Sequence, residues 1–234
     1  MNNLTKRIIS AIAYVAIMIY GVYHSIESFH ILFISIGIIC LFEMIKIRKS
    51  ESTLTFYGFL PYIYIIMPFT LIHFIDPYLI SIILILSWCF DTFAFFIGVK
   101  FGKHKILPSV SPKKSWEGFL GGLIFTVLIF KFLILDMLSS IKMIDKSNKL
   151  IETIQYKLNN EPLHQIFTQE ENVYIGILIL SITATTGDFI ASYYKRQAGV
   201  KDSSNLIPGH GGMIDRMDSF LITIPIIYIL SLSI

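Results

Sequence analysis

The sequence predicts an all-α polytopic membrane protein of about seven transmembrane helices. Three observations lead there. Of 234 residues, 54% are hydrophobic and only 15% are charged, where a soluble domain carries roughly a quarter charged residues; the mean hydropathy is +0.69. The apolar residues collect into segments near the ~20 that a helix needs to cross hydrocarbon. The basic residues fall in alternate connections between those segments. The same figures exclude other classes. A net charge of +3 on so apolar a chain makes no basic stripe for nucleic acid, and the apolar content excludes intrinsic disorder. Cys40 and Cys89 both lie within apolar runs, where cysteine behaves as a small buried hydrophobe. Two such residues build neither a metal site nor a disulfide framework.

In chain order the expected spans are 8–23, 29–45, 56–75, 78–99, 119–138, 173–186 and 219–234. The first follows Lys6-Arg7 and so resembles a secretory signal. Ala11 and Ala13 stand at the start of its apolar run, not at the end, so it is expected to stay as a helix. The sixth is short and is expected to continue as a helix past Asp188. Lys6 and Arg7 precede span one; Lys46, Arg48 and Lys49 follow span two. Lys100, Lys103, Lys105, Lys113 and Lys114 follow span four, and Lys195, Arg196, Lys201 and Arg216 follow span six. The connections around Glu27 and Asp76 carry no Lys or Arg. The N-terminus is therefore expected inside and the C-terminus outside. Lys131, within the fifth span, is read as snorkelling to the interface. The connection 136–172 carries Lys142, Lys146, Lys149 and Lys157, and Leu150, Ile151, Ile154 and Leu158 share a helical stripe. It is expected to lie as an amphipathic helix on the membrane surface.

Acids embedded in membrane helices are expensive and face a cavity or a partner. Asp91 lies deep in span four, followed by the run from Ser111 to Gly118. Gly98, Gly102, Gly118, Gly121 and Gly122 nearby permit close approach of backbone to a ligand or to another helix. The stretch from Asp188 to Asp218 is denser. If the sixth helix continues, Asp188, Ser192 and Lys195 share one face, while Asp215 and Asp218 share a face at the start of the last span. Carboxylates with a hydroxyl, and no Cys/His cluster, suit a hard cation such as Mg²⁺. Lys195, Arg196, Lys201 and Arg216 suit phosphate oxygens, and Gly209, Gly211 and Gly212 let backbone amides approach an anion. Together they describe phosphate chemistry at a membrane surface, in which the protein positions groups and stabilises charge.

These residues carry a resemblance to the phosphatidate cytidylyltransferase family. Its C-terminal signature is matched by Ser192, Lys195-Arg196, Lys201-Asp202, Pro208, His210-Gly211-Gly212, Asp215-Arg216 and Asp218, with every spacing intact. Upstream, Asp91-Thr92-Phe93-Ala94 is similar to the family's Asp-Thr-Gly-Ala, with Phe93 where glycine is usual. Ser111-Pro112-Lys113-Lys114-Ser115-Trp116-Glu117-Gly118 is similar to its Ser-Pro-x-Lys-Thr-Trp-Glu-Gly. Tyr194 stands where an aliphatic residue or Phe is usual. The match covers about 85–225; the first 80 residues match only in being apolar, and the chain is shorter than common members.

The resemblance implies transfer of the cytidylyl group of CTP to phosphatidic acid, giving CDP-diacylglycerol and pyrophosphate, with Mg²⁺ required and K⁺ as a candidate second ion. It implies a polar catalytic cavity open to the cytosolic side. Residues 1–80 would be N-terminal transmembrane helices and 81–234 the catalytic transmembrane domain. The expected catalytic residues are Asp188, Ser192, Lys195, Arg196, Lys201, Asp202, His210, Asp215, Arg216 and Asp218, with Asp188, Asp215 and Asp218 on the metal. Lys113, Lys114, Ser115, Gly211 and Gly212 are expected to bind the nucleotide. His210 is read either as a phosphate partner and acid or as a hydrogen bond that fixes its loop. The lipid phosphate is already largely dianionic, so no dedicated general base is expected.

The expected setting is an integral protein of the bacterial inner membrane, its active site facing the cytoplasm, among membrane lipids, as a homodimer and without nucleic acid. A cytidylyltransferase for another lipid phosphate, such as an ether-linked isoprenoid lipid, is the nearest alternative. An ion-coupled transporter is more remote, because no internal repeat of paired broken helices is present.

Overall fold

Two serines make the first connection. Ser28 N–H donates to Ser25 Oγ at 3.1 Å and Ser25 N–H to Ser28 Oγ at 2.9 Å, a reciprocal cap of the kind that satisfies orphan amides at a helix start. It separates α1 (Asn3–Tyr23) from α2 (Ile26–Arg48), and the two helices pack on each other. The structure, a computed structural model, describes residues 3–48, 56–131 and 170–232. After α2 come α3 (Phe56–Leu71), a single 3-10 turn (Ile72–Phe74), and α4 (Pro77–Phe101). Asp76 Oδ1 accepts the N–H of Tyr78 at 2.8 Å and Pro77 takes the first helical position, where its missing N–H costs nothing. Then follow β1 (Lys105–Leu107), β2 (Ser111–Ser115), α5 (Trp116–Ile129), α6 (Glu170–Gln197) and α7 (Ile214–Ser231).

Among the described residues, four helices are long and apolar enough to cross a membrane: Thr5–Tyr23, Ile26–Arg48, Pro77–Phe101 and Tyr174–Gln197. Gly58–Phe74 and Trp116–Ile129 are shorter apolar helices. α7 carries Asp215, Arg216 and Asp218 near its start and is apolar only from Ser219 onward. The chain is an integral membrane protein, and its surface agrees with that. On α2 the stripe Phe29, Phe33, Ile36, Cys40, Met44 and Ile47 is buried, while Ile31, Ile34, Ile38, Phe42 and Ile45 on other faces are exposed. A helix apolar all round belongs in hydrocarbon. One residue breaks the buried stripe: Glu43, between Cys40 and Met44, is only 6% exposed.

As expected, α6 runs without a break through Asp188 to Gln197. The segment after α4 departs from the loop expected there. β1 and β2 pair antiparallel, Lys105 with Ser115 and Leu107 with Ser111, with a bulge between. The strands are short and mostly polar, so they show no alternation in sequence. A side chain from the next helix holds them: Glu117 accepts the N–H of Lys103 at 3.1 Å, the N–H of His104 at 3.1 Å, and contacts His104 Nδ1 at 2.6 Å. The amphipathic segment expected at 136–172 lies outside the described residues up to 169, as does span five beyond Lys131, which is itself exposed.

The chain divides into two compact units: Met1–Ser81 with Thr183–Ile226, and Ile82–Ile182 with Ile227–Ile234. Residues 183–226 group with the N-terminal helices in the first unit. In the second unit α4 and α5 meet along small residues. A Cβ on Gly118 would lie 2.7 Å from the Ala94 carbonyl oxygen, the close approach that drives helix pairing where water supplies no hydrophobic force. Phe93, which stands where the family usually has glycine, stacks on Phe125 of α5, with centroids 4.8 Å apart and planes 5° from parallel.

Candidate active site

The polar residues of the first unit gather where α6 ends and α7 begins. α6 closes in a Schellman arrangement: Val200 N–H donates to the Lys195 carbonyl and Gly199 N–H to that of Arg196, both at 3.0 Å, with Gly199 at φ +70°. Arg196 reinforces the turn through Nη1 to the Val200 carbonyl at 2.9 Å. This turn sends the chain back toward α7.

On the last turns of α6 the predicted face is present. Ser192 Oγ donates to Asp188 Oδ1 at 3.2 Å, and Lys195 lies one turn further on, its Nζ 2.6 Å from Asp215 Oδ1 on α7. Only 8% of each of these two side chains is exposed. Asp215 Oδ2 accepts Ser203 N–H at 2.8 Å and Gly212 N–H at 2.9 Å, and Ser203 Oγ, whose one hydrogen goes to Glu43, lies 3.0 Å away. Burial works to raise the Asp215 carboxyl, but the Lys195 charge and these hydrogen bonds outweigh it and hold the carboxyl below its ordinary value.

A second carboxylate binds the same loop from a helix far away in sequence. Glu43 Oε1 accepts Ser204 Oγ at 2.6 Å and Met213 N–H at 2.9 Å. Its Oε2 accepts Ser203 Oγ at 2.7 Å and Ile214 N–H at 2.9 Å. The charge of Glu43 therefore sits at the N-terminus of α7, where orphan amides and the helix dipole favour an anion. Sequence reasoning missed this residue. Its signal was available: it is the lone acid inside the otherwise apolar stretch Cys40-Leu41-Phe42-Glu43-Met44, the kind of placement that marks a functional position.

The glycines serve these carboxylates. A Cβ on Gly212 would run into Ser203 Oγ and lie 2.5 Å from both Glu43 oxygens. Gly211, at φ +85°, presses equally closely on Asp215. The amides of Gly212, Met213 and Ile214 are taken by the chain's own carboxylates, Asp215 for the first and Glu43 for the other two.

Asp188 and Asp218 come from facing positions on α6 and α7. Gly187 packs directly against the Asp218 backbone, and Tyr64 Oη donates to the Gly187 carbonyl at 2.9 Å. Both Asp188 and Asp218 act electrostatically on the Tyr64 hydroxyl. However, among the described residues no three His, Cys, Asp or Glu side chains gather closely enough to hold a metal ion. The expected ligand set of Asp188, Asp215 and Asp218 is therefore not assembled as a group. Asp215 is engaged elsewhere: its oxygens accept from Lys195, Ser203 and Gly212.

His210 Nδ1 lies 3.0 Å from Ser10 Oγ on α1, and the same hydroxyl lies 3.0 Å from the Pro208 carbonyl. Burial first, then the charges of Arg216 and Arg7, lower the imidazole below its ordinary value, so the ring is neutral at pH 7. Lys201, Asp202 and Arg216 are exposed around the cluster. Lys113, Lys114 and Ser115 belong to the second unit. There Lys113 is exposed, and Ser115 caps α5 by accepting the Gly118 N–H at 3.2 Å.

Residues 52–234 match the model of the cytidylyltransferase family. A phosphatidate cytidylyltransferase of Rickettsia typhi is 31% identical over 232 residues, covering 97% of this chain and 91% of that protein. The same enzyme of Rickettsia prowazekii is 29% identical over 99% of this chain and 93% of its own length. That of Haemophilus influenzae is 39% identical over 158 residues, or 64% of this chain, and the alignment spans only 46% of that longer protein.

Proposed function

Because the chain belongs to the cytidylyltransferase family, we propose that its first unit holds the phosphate-handling part of a site that transfers the cytidylyl group of CTP to phosphatidic acid. The products are CDP-diacylglycerol and pyrophosphate. A non-bridging oxygen of the lipid phosphate bonds to the α-phosphorus of CTP, and the bond from that phosphorus to the β-bridging oxygen breaks, so both electrons leave with pyrophosphate. The lipid nucleophile is already anionic, so the chain's task is to bring several negative groups together and to spread their charge.

The observation that carries this reading is the latch around the α6–α7 loop. Glu43 and Asp215 take up the amides and hydroxyls of Ser203, Ser204 and Gly212 to Ile214, which fixes the loop in one shape. That shape presents Lys201 and Arg216 outward, exposed for phosphate oxygens. Arg196 is partly spent on its own helix end and serves the turn first.

The donor chemistry of Asp188 and Asp218, with the Ser192 hydroxyl beside Asp188, fits Mg²⁺. These residues would hold it, and bound there it would neutralise part of the polyphosphate charge. Asp215 joins them only if Lys195 turns away. K⁺ has no comparable support in the residues described. His210, neutral and tied to Ser10, acts as a loop anchor ahead of any role as an acid. Lys113 and Lys114 remain assigned to nucleotide phosphate on the strength of the family motif.

We place the basic connections, and with them the site, on the cytoplasmic side of the inner membrane by the distribution of Lys and Arg. The seven-span arrangement follows if α3, α5 and α7 also cross. The test is conversion of labelled CTP and phosphatidate by detergent-purified protein. CDP-diacylglycerol forms only with a divalent cation, and Asp188→Asn and Asp218→Asn each lose most of the activity while remaining folded. Absence of product from the unaltered chain would reject the assignment.

A further inference from the structure

A groove of about 600 Å³ runs between α1 and the 206–213 loop, within the size range of small-molecule sites. Lys6 and Ser10 line one end, Ile9, Ala13 and Ile17 continue along α1, and Leu206 is on the opposite wall. From Lys6 to Ile17 the helix rises ~16 Å, close to the ~15 Å of one hydrocarbon leaflet. The charge is at one end only: Lys6 lines it, and the Arg7 side chain packs over Gly209 beside it. The groove is thus shaped for one anionic headgroup and the chain that hangs from it.

Tyr14 links this groove to the polar cluster. It lines the groove, yet its hydroxyl is buried where the charges of Arg216 and Asp218 act on it. The far wall is the motif loop itself, and His210 of that loop reaches Ser10 on the near wall. A ligand in the groove therefore touches the element whose other side is clamped by Glu43 and Asp215.

We propose that this groove seats an acyl chain of the phosphatidate substrate, with its phosphate at the Lys6 end beside the motif loop. The assignment rests on the reaction proposed above. A seat here explains why α1 and the motif loop share hydrogen bonds: filling the groove and positioning the loop become one event.

The test uses the full purified chain in phosphatidylcholine micelles with a phosphatidate that carries a photoreactive acyl chain. Labelling needs no turnover, so it separates the groove from the reaction. Label is expected on peptides spanning 6–17 and 206–213, displaced by excess phosphatidate and not by extra phosphatidylcholine. Ala13→Trp, which fills the groove from an exposed helix position, should cut labelling about tenfold and raise the half-saturating phosphatidate level about tenfold, with the KM for CTP unchanged. Ile12→Trp, on another face of α1, should change neither. Label elsewhere, indifference to Ala13→Trp, or equal displacement by phosphatidylcholine would overturn the proposal. So would a fall in oligomer size on Ala13→Trp, which would assign the groove to a second copy of the chain. Selective labelling in a chain that forms no product would keep the groove and reject the reaction.

Discussion

Lys195 and Asp215 meet across the loop that joins α6 to α7, Nζ to Oδ1 at 2.6 Å, with 8% of each side chain exposed. A pair this buried is held less by attraction than by the cost of breaking it, because removing one partner strands the other charge. Asp215→Asn or Lys195→Met should each cost about 3 kcal/mol. The double variant Lys195→Met/Asp215→Asn, whose amide oxygen still accepts the Ser203 and Gly212 N–H groups, should recover most of that loss. Thermal unfolding in detergent checks it; additive losses in the double variant would show that the pair is not coupled.

Glu43 makes a sharper prediction, because its four acceptor contacts leave no room for a donor. Glu43→Gln keeps the shape but turns an NH₂ group toward N–H and O–H donors. Charge-assisted hydrogen bonds contribute about 1.5–3 kcal/mol each, so the loss should be at least about 3 kcal/mol. CDP-diacylglycerol synthesis should drop by a factor of ten or more. Glu43→Asp, one methylene shorter, should recover part of the activity. Near-normal turnover in Glu43→Gln would show that the loop does not depend on this clamp.

Gly212→Ala tests the same clamp from its other side. Its methyl group would meet Ser203 Oγ and both Glu43 oxygens, and forced overpacking costs about 1–3 kcal/mol. Activity should fall with Glu43→Gln, and the two changes together should do little more than either alone. Independent, additive effects would separate Gly212 from Glu43.

The hairpin of the second unit should open in acid. Hydrogen bonding to His104 and to backbone amides holds Glu117, which precedes the apolar part of α5, down to about 2 from an ordinary 4.5. The folded value is the lower one, so the Glu117 contribution is fully present above about 4.5 and is lost as pH falls toward 2. Fluorescence of neighbouring Trp116 should change over that window. In Glu117→Gln the change should vanish, and a change of the same size there would assign it to another group.

Much of this architecture is written in local pattern. The i, i+4, i+7 spacing of Asp188, Ser192 and Lys195 correctly places them on one continuous helix, because a 3.6-residue period needs no knowledge of partners. The end of α6 is equally local, since Gly199 and the chain around it close a Schellman turn. What local pattern cannot carry is who meets whom. Glu43 and Ser203 are 160 positions apart, and nothing near either residue names the other. For the same reason Asp215 reads as a metal ligand in sequence and as the partner of Lys195 in the fold. The β hairpin fails for a different reason: its strands are too short and polar for alternation to show, and Glu117 supplies the order instead. Phe93 departs from the glycine usual there, and its stack on Phe125 gives it a packing role.

The most direct measurement is CDP-diacylglycerol formation by Lys195→Met/Asp215→Asn, the variant expected to stay folded, with an acceptor kept for Ser203 and Gly212, while losing its buried charges. If the buried Lys195–Asp215 charges serve the reaction, this protein should melt close to the unaltered chain and yet form product at less than about a hundredth of its rate. A folded double variant that turns over at the normal rate would contradict the assignment of the α6–α7 junction as the reaction site.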